Sequence, residues 1–169
     1  CDWSSDVCSS DLIINSAVDN ISEITGNASG KIITYGLDEG SDYRAENITF
    51  DEYACGSFDL IKEGRNCGRY TLGVTGIHNI SNGLAAIAVS DFLGIPEEAI
   101  RSGLISFSGT DRRFELKGVK DGVTIIDDYA HHPTEIAATL STAQKYPHKT
   151  LWCVFQPHTY TRTKAFLHE

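Results

Sequence analysis

Apolar residues along this chain fall into short runs divided by acidic and glycine-rich turns, with one long apolar segment in the middle. "LIINSAVDNISEI", from Leu12, mixes strand-like and helix-like spacing. "KIITYGL" (Lys31–Leu37) predicts a strand ended by Gly36 and the acidic turn "DEGSD". "YRAENITFDEY" alternates and predicts a half-exposed strand. Phe58–Gly64 and Arg69–Gly76 predict an antiparallel pair around a turn rich in Gly, Arg and Asn. In Asn79–Ile95, Ile80, Leu84, Ile87 and Ala88 recur at helical spacing, and Ala85, Ala86 and Val89 widen the face. Gly94 and Pro96 stop this helix, and Pro96 suits the first position of a second, with Glu97 and Glu98 in its first turn.

The texture changes from Ser106, where "SFSGTDRRFELKG" turns polar and then basic, which puts a domain boundary near Ser108–Asp111. Two strands joined at Asp121-Gly122 follow. Then comes an amphipathic helix striped by Ile136, Leu140 and Ala143, and an apolar strand over Thr150–His158. Strand, helix, strand is the βαβ pattern, and continuously apolar strands belong in a parallel sheet covered on both faces. In such a sheet Asp127 and Asp128 would share the carboxyl edge, where ligands bind, with Gln156, Pro157 and His158.

Composition narrows the function. A chain of 169 residues holds one ordinary domain or pieces of two. A formal charge of -9 argues against nucleic acid or an anionic membrane as partner, yet leaves room for a phosphorylated small molecule. No apolar run is long enough to cross a bilayer, and no basic-then-apolar leader is visible. Five scattered cysteines without a C-x-x-C read as reduced thiols of a cytoplasmic protein. The first residues, "CDWSSDVCSSD" (1–11), fit neither period and read as a non-native leader, and the last ones break off inside a helix-like stretch.

Four clusters carry candidate chemistry. Asp127, Asp128, Tyr129, His131 and His132 crowd one strand-to-helix turn. They read as a polar turn with an Asp cap, as a metal site, or as a nucleotide site whose carboxylate meets ribose hydroxyls. His78, Asn79 and Asn82 open the long helix; the two Asn share a face. One could be a cap, or both amides could read a purine edge, since an amide both donates and accepts. Arg112 and Arg113 follow a Gly turn, either as solvated charges or facing an anion at the domain junction. Gln156, His158, Tyr160, Arg162 and Lys164 form a polar loop beyond the last strand.

In order and spacing, "GIHNISNGLAAIAV", "SGTDRRFELKG", "DDYAHHPTEI" and "VFQPHTYTRTK" closely resemble the Mur ligases of peptidoglycan synthesis, from about Leu12 to Glu169. The resemblance implies an α/β fold: the second half of a central ATP-binding domain (12–107), then the start of a Rossmann-like C-terminal domain (108–169). It implies an ATP-dependent carboxylate–amine ligase of cell-wall biogenesis, with ATP and Mg2+ as cofactors. The implied partners are the small molecules UDP-N-acetylmuramate and L-alanine, with neither nucleic acid nor membrane.

By the same resemblance Asn79 and Asn82 contact the adenine region, and Arg113 and Asp128 are catalytic and nucleotide-binding residues. His131, His132 and His158 are weaker candidates for the amino-acid substrate. No metal ligand is assigned here. The Gly-Lys-Thr phosphate loop and the Mg2+ ligands of the family are absent and would lie before Leu12, so the chain alone is expected to be inactive. The alternatives are a murein tripeptide ligase of the same family, a metal-dependent phosphohydrolase using Asp127, Asp128, His131 and His132, and a non-catalytic nucleotide-binding module.

Overall fold

A computed structural model of the chain describes residues 11–26, 28–157 and 159–166. Strands β1 (Leu12–Asn15), β2 (Ile32–Gly36), β3 (Tyr43–Phe50), β4 (Cys55–Lys62) and β5 (Arg65–Thr75) form one sheet in that order. The short helix α1 (Ile21–Thr25) links the first two. β1, β2 and β3 run parallel, while β4 and β5 continue as antiparallel hairpins. Parallel neighbours usually need a crossover of about a dozen residues or more. Here a short loop suffices because the end of β2 pairs only with the start of β3, at Tyr35–Tyr43 and Gly36–Arg44. The Asp42 carboxylate clamps that loop by accepting the Thr34 N–H and Oγ1–H, both at 2.8 Å.

The β4–β5 pair forms as the pattern predicts, but its turn is Glu63-Gly64, with φ 47° and 77°, and the Gly-Arg-Asn stretch beyond it belongs to β5. Two consecutive positive φ angles match the right-handed twist of a hairpin, so the turn settles at the acidic Glu-Gly step. Helix α2 (His78–Phe92) lies across this sheet and touches every strand of it. Its inward residues Ile80, Leu84 and Ile87 are fully buried with Phe58 from β4, which stacks on Tyr70. Helix α3 (Glu97–Ser106) begins after Pro96, which takes the cap position rather than the first helical one. Arg101 pins α3 to β5: its guanidinium lies 3.7 Å over the Tyr70 ring and donates to the Cys67 and Arg69 carbonyls. Burial pushes the Tyr70 pKa up to about 12, and the Arg101 charge over the ring opposes that rise.

Beyond α3 the chain crosses β5 at Gly73, where an added Cβ would sit 2.5 Å from the Phe107 carbonyl oxygen. It then forms a second, two-stranded antiparallel sheet of β6 (Glu115–Lys120) and β7 (Val123–Asp127), turned at Asp121-Gly122 with φ 51° and 79°. Helices α4 (Pro133–Lys145) and α5 (Tyr160–Ala165) follow.

The expected strand over Thr150–His158 is not formed: 150–157 are irregular, Trp152 and Val154 are 85% and 97% exposed, and His158 lies outside the described residues. A strand needs a hydrogen-bonded neighbour, and β7 pairs only with β6 among the described residues. The predicted βαβ unit is therefore present only as strand and helix, and Val123 and Ile125, expected to be covered on both faces, are exposed.

α4 packs back on the first sheet through its far end. Tyr146 meets Tyr53 and Phe114, both with ring centroids 6.1 Å apart, and Lys145 lies 4.9 Å over the Phe50 ring. Thr142, 3% exposed, is its most buried residue rather than the predicted Ile136–Leu140–Ala143 stripe, because that face rests on Gly76. No helix among the described residues is long and apolar enough to cross a membrane.

Candidate functional site

The junction between the two sheets encloses a cavity of about 670 Å³. One wall is the end of β5 and the first turn of α2, with His78, Asn79 and Asn82. The opposite wall is the segment after α3, with Arg113 and Phe114, then Asp128 and the first turns of α4, with Thr134 and Glu135. Two helix N-termini thus face one space, and each carries the positive end of its dipole.

The Asn pair is not a helix cap: Ile77 holds the cap position of α2 without a side-chain bond. Instead Asn79 Nδ2 donates to the Thr75 carbonyl at 2.7 Å, and Asn79 Oδ1 accepts from Asn82 Nδ2 at 2.9 Å. The first amide is fixed by the strand end and in turn fixes the second. Asn82 keeps Oδ1 and one amide hydrogen without a protein partner among the described residues, a donor and an acceptor side by side. His78 stays partly open to solvent, yet the cavity walls desolvate its imidazole and push its pKa below the ordinary histidine value; Asp128 opposes that shift and Arg113 adds to it.

The two arginines diverge. Arg112, at φ 59°, folds back on its own sheet, 3.6 Å from Asp127 and 4.4 Å over the Tyr129 ring. Arg113 lines the cavity and sits 3.5 Å from Glu135. Asp128 does not cap α4. Its two carboxylate oxygens accept the N–H of Phe114 at 2.8 Å and of Ala130 at 2.7 Å, which ties the entry of β6 to the exit of β7. Phe114 sits at φ 47°, so this bond holds a left-handed residue at the mouth of the cavity.

The cap of α4 is His132, whose Nδ1 accepts the Thr134 N–H at 3.3 Å. Glu135 completes the box by accepting the N–H of His131 and His132 at 3.2 and 3.4 Å. Those two backbone bonds, His131 first, hold the Glu135 carboxyl below the usual range against its partial desolvation. His131 Nδ1 lies 3.0 Å from the Tyr129 carbonyl.

Both ring nitrogens named here face their own turn, and neither His131 nor His132 lines the cavity. Asp127 is paired with Arg112. The four residues of the phosphohydrolase alternative are therefore separately engaged, and no group of three or more His, Cys, Asp or Glu among the described residues could hold a metal. Gln156, expected on one edge with Asp128, is exposed and does not line the cavity, and His158 lies outside the described residues. The structure thus gathers Asn79, Asn82, Arg113 and Asp128, and leaves His131 and His132 beside them. Sequence reasoning missed Glu135 and Thr142. Glu135 had a signal, since Pro133 and Glu135 sit at the first and third positions of a helix start.

The chain matches two domain models of one family: the Mur ligase middle domain over residues 8–90 and the Mur ligase glutamate ligase domain over 112–169. The chain belongs to the Mur ligase family. Among curated proteins it is similar to the UDP-N-acetylmuramate–L-alanine ligase of Agathobacter rectalis, 57% identical over 93% of this chain and 34% of that protein. The enzyme of that name from Lachnoclostridium phytofermentans is 48% identical, over 94% of this chain and 36% of that protein. The chain spans about a third of the length of these relatives.

Among solved structures, MurF from Acinetobacter baumannii superposes with a TM-score of 0.72 at 27% identity, over 82% of this chain and 30% of that one. The UDP-N-acetylmuramate–alanine ligase MurC of Thermotoga maritima gives 0.62 at 29%, over 72% and 31%.

Proposed function

We propose that this chain is the nucleotide-holding part of an ATP-dependent ligase that joins L-alanine to UDP-N-acetylmuramate in the cytoplasm. Residues 12–107 are read as the second half of the central domain and 108–169 as the start of the C-terminal one. The observation that carries this is the meeting of Asn79, Asn82, Arg113 and Asp128 around one cavity, from segments far apart in sequence. Its volume lies within the range of about 300–1,000 Å³ that suits small ligands. The murein tripeptide reading has less support, since the two curated relatives described above, at 57% and 48% identity, carry the alanine ligase name.

In the reaction so proposed, the muramate carboxylate attacks the γ-phosphorus and ADP leaves. The alanine amine then attacks the acyl carbon of the resulting acyl phosphate, loses a proton, and releases inorganic phosphate. The residues of this chain bind and orient. Asn82 offers a donor–acceptor pair to the adenine edge, with Asn79 holding it in place. Arg113 offers forked donors to phosphate oxygens. Asp128 keeps Phe114 and the turn before α4 in register, which holds the wall that carries Arg113 in one shape. Asp128 and Glu135 already accept backbone N–H groups, and the described residues do not make a set suited to Mg2+.

The test uses the full-length ligase that contains this chain. Asn82→Ala and Arg113→Ala should each raise the KM for ATP about tenfold or more, the size expected when a ligand hydrogen bond is lost. An unchanged KM for ATP in both variants would refute the assignment.

A further inference from the structure

We infer that Glu135 is a positioning residue: one carboxylate oxygen is anchored to the start of α4, while the other directs the Arg113 guanidinium into the cavity. The inference rests on the nucleotide reading above. Oε2 accepts the N–H groups of His131 and His132, and Oε1 stands 3.5 Å from Arg113 Nη1. The first pair of bonds makes the carboxylate part of the helix start, so it cannot swing freely. The second contact is loose. Among the described residues no side-chain hydrogen bond spends the Arg113 donors, and the side chain remains 52% exposed.

That balance suits a guide. A long Arg side chain in solvent samples many rotamers, and ordering it on ligand binding costs entropy. A weak ion pair between half-exposed groups biases the direction without competing with a doubly hydrogen-bonded phosphate. Asp128, the other acid of the cavity, already accepts two backbone N–H groups. Arg112, the neighbouring cation, is turned away on Asp127 and Tyr129. Glu135 is thus the carboxylate paired with Arg113 among the described residues.

The experiment compares Glu135→Gln, Arg113→Ala and the double variant in the full-length ligase. Gln keeps an oxygen for the His131 and His132 N–H groups but loses the charge that faces Arg113. The KM for ATP should rise about three- to fivefold, the range open to a partly exposed ion pair, with kcat unchanged and the urea midpoint slightly lower, because the bonds to the His131 and His132 N–H groups are kept but lose their charge. In the Arg113→Ala background the Gln substitution should add nothing. Glu135→Asp, still acidic but one methylene shorter, should give the same KM shift if the Gln variant folds poorly.

A Glu135 effect that persists undiminished without Arg113, or no effect while Arg113→Ala raises KM, overturns the inference and leaves the nucleotide reading standing. An Arg113→Ala variant with normal KM for ATP also overturns the inference, and the nucleotide reading falls with it only if Asn82→Ala is normal as well.

Discussion

Replacing Asp128 separates what this residue does for the fold from what it does for a ligand. Its carboxylate accepts two backbone N–H groups, from Phe114 at 2.8 Å and Ala130 at 2.7 Å. Hydrogen bonds to a charged partner contribute about 1.5–3 kcal/mol each. The group is half-buried, and water recovers part of what is lost, so the lower end applies. Asp128→Ala should therefore lower stability by about 2–3 kcal/mol. Asp128→Asn keeps one acceptor oxygen but turns an amide N–H toward the other backbone donor, and should cost about 1–2 kcal/mol. Urea unfolding gives both values, and hydrogen exchange should speed up first at the Phe114 and Ala130 amides. Variants within about 0.5 kcal/mol of the parent, the scatter expected for an inert surface change, with unaltered exchange at those amides, would refute the reasoning. The family resemblance makes Asp128 a catalytic and nucleotide-binding residue. The geometry makes the fold a first casualty too, so activity loss in the Ala variant has to be read beside its stability.

Leu84 is fully buried under the first sheet, and Leu84→Ala should lower stability by about 3–5 kcal/mol in the same assay, with a value below about 2 kcal/mol counting against the packing described. Asp91 should make stability fall in acid. Desolvation raises its pKa, but hydrogen bonds from Lys62 and Tyr43 outweigh it, so the folded value lies below the ordinary one. A lowered carboxyl pKa stabilises above the unfolded value of about 3.9 and is lost as pH falls through the folded one. The stability gap between parent and Asp91→Asn should therefore be open at neutral pH and close as pH falls below about 3.9 and through the folded value; a gap of constant size would contradict the pairing.

Turn chemistry and helical period made much of the fold legible. Asp121-Gly122 marks its hairpin because such a step tolerates two positive φ angles, and the α2 stripe of Ile80, Leu84 and Ile87 is the buried face. The failures come from interactions that a local pattern does not encode. The apolar run at 150–157 has the composition of a strand, but composition supplies no pairing neighbour. Thr142 is buried because Gly76, distant in sequence, comes against it. The four residues around the cavity were named from a family resemblance. Their actual bonds, Asp128 to Phe114 and Asn82 to Asn79, required the folded chain.

At Gly73 only hydrogen projects from the backbone, which lets the segment after α3 lie flat on β5. A methyl group there would lever that crossing outward, and the lever runs through Phe107 to Arg113. The width of the cleft is thus metered by a carbon that is missing, at a position no ligand need ever touch.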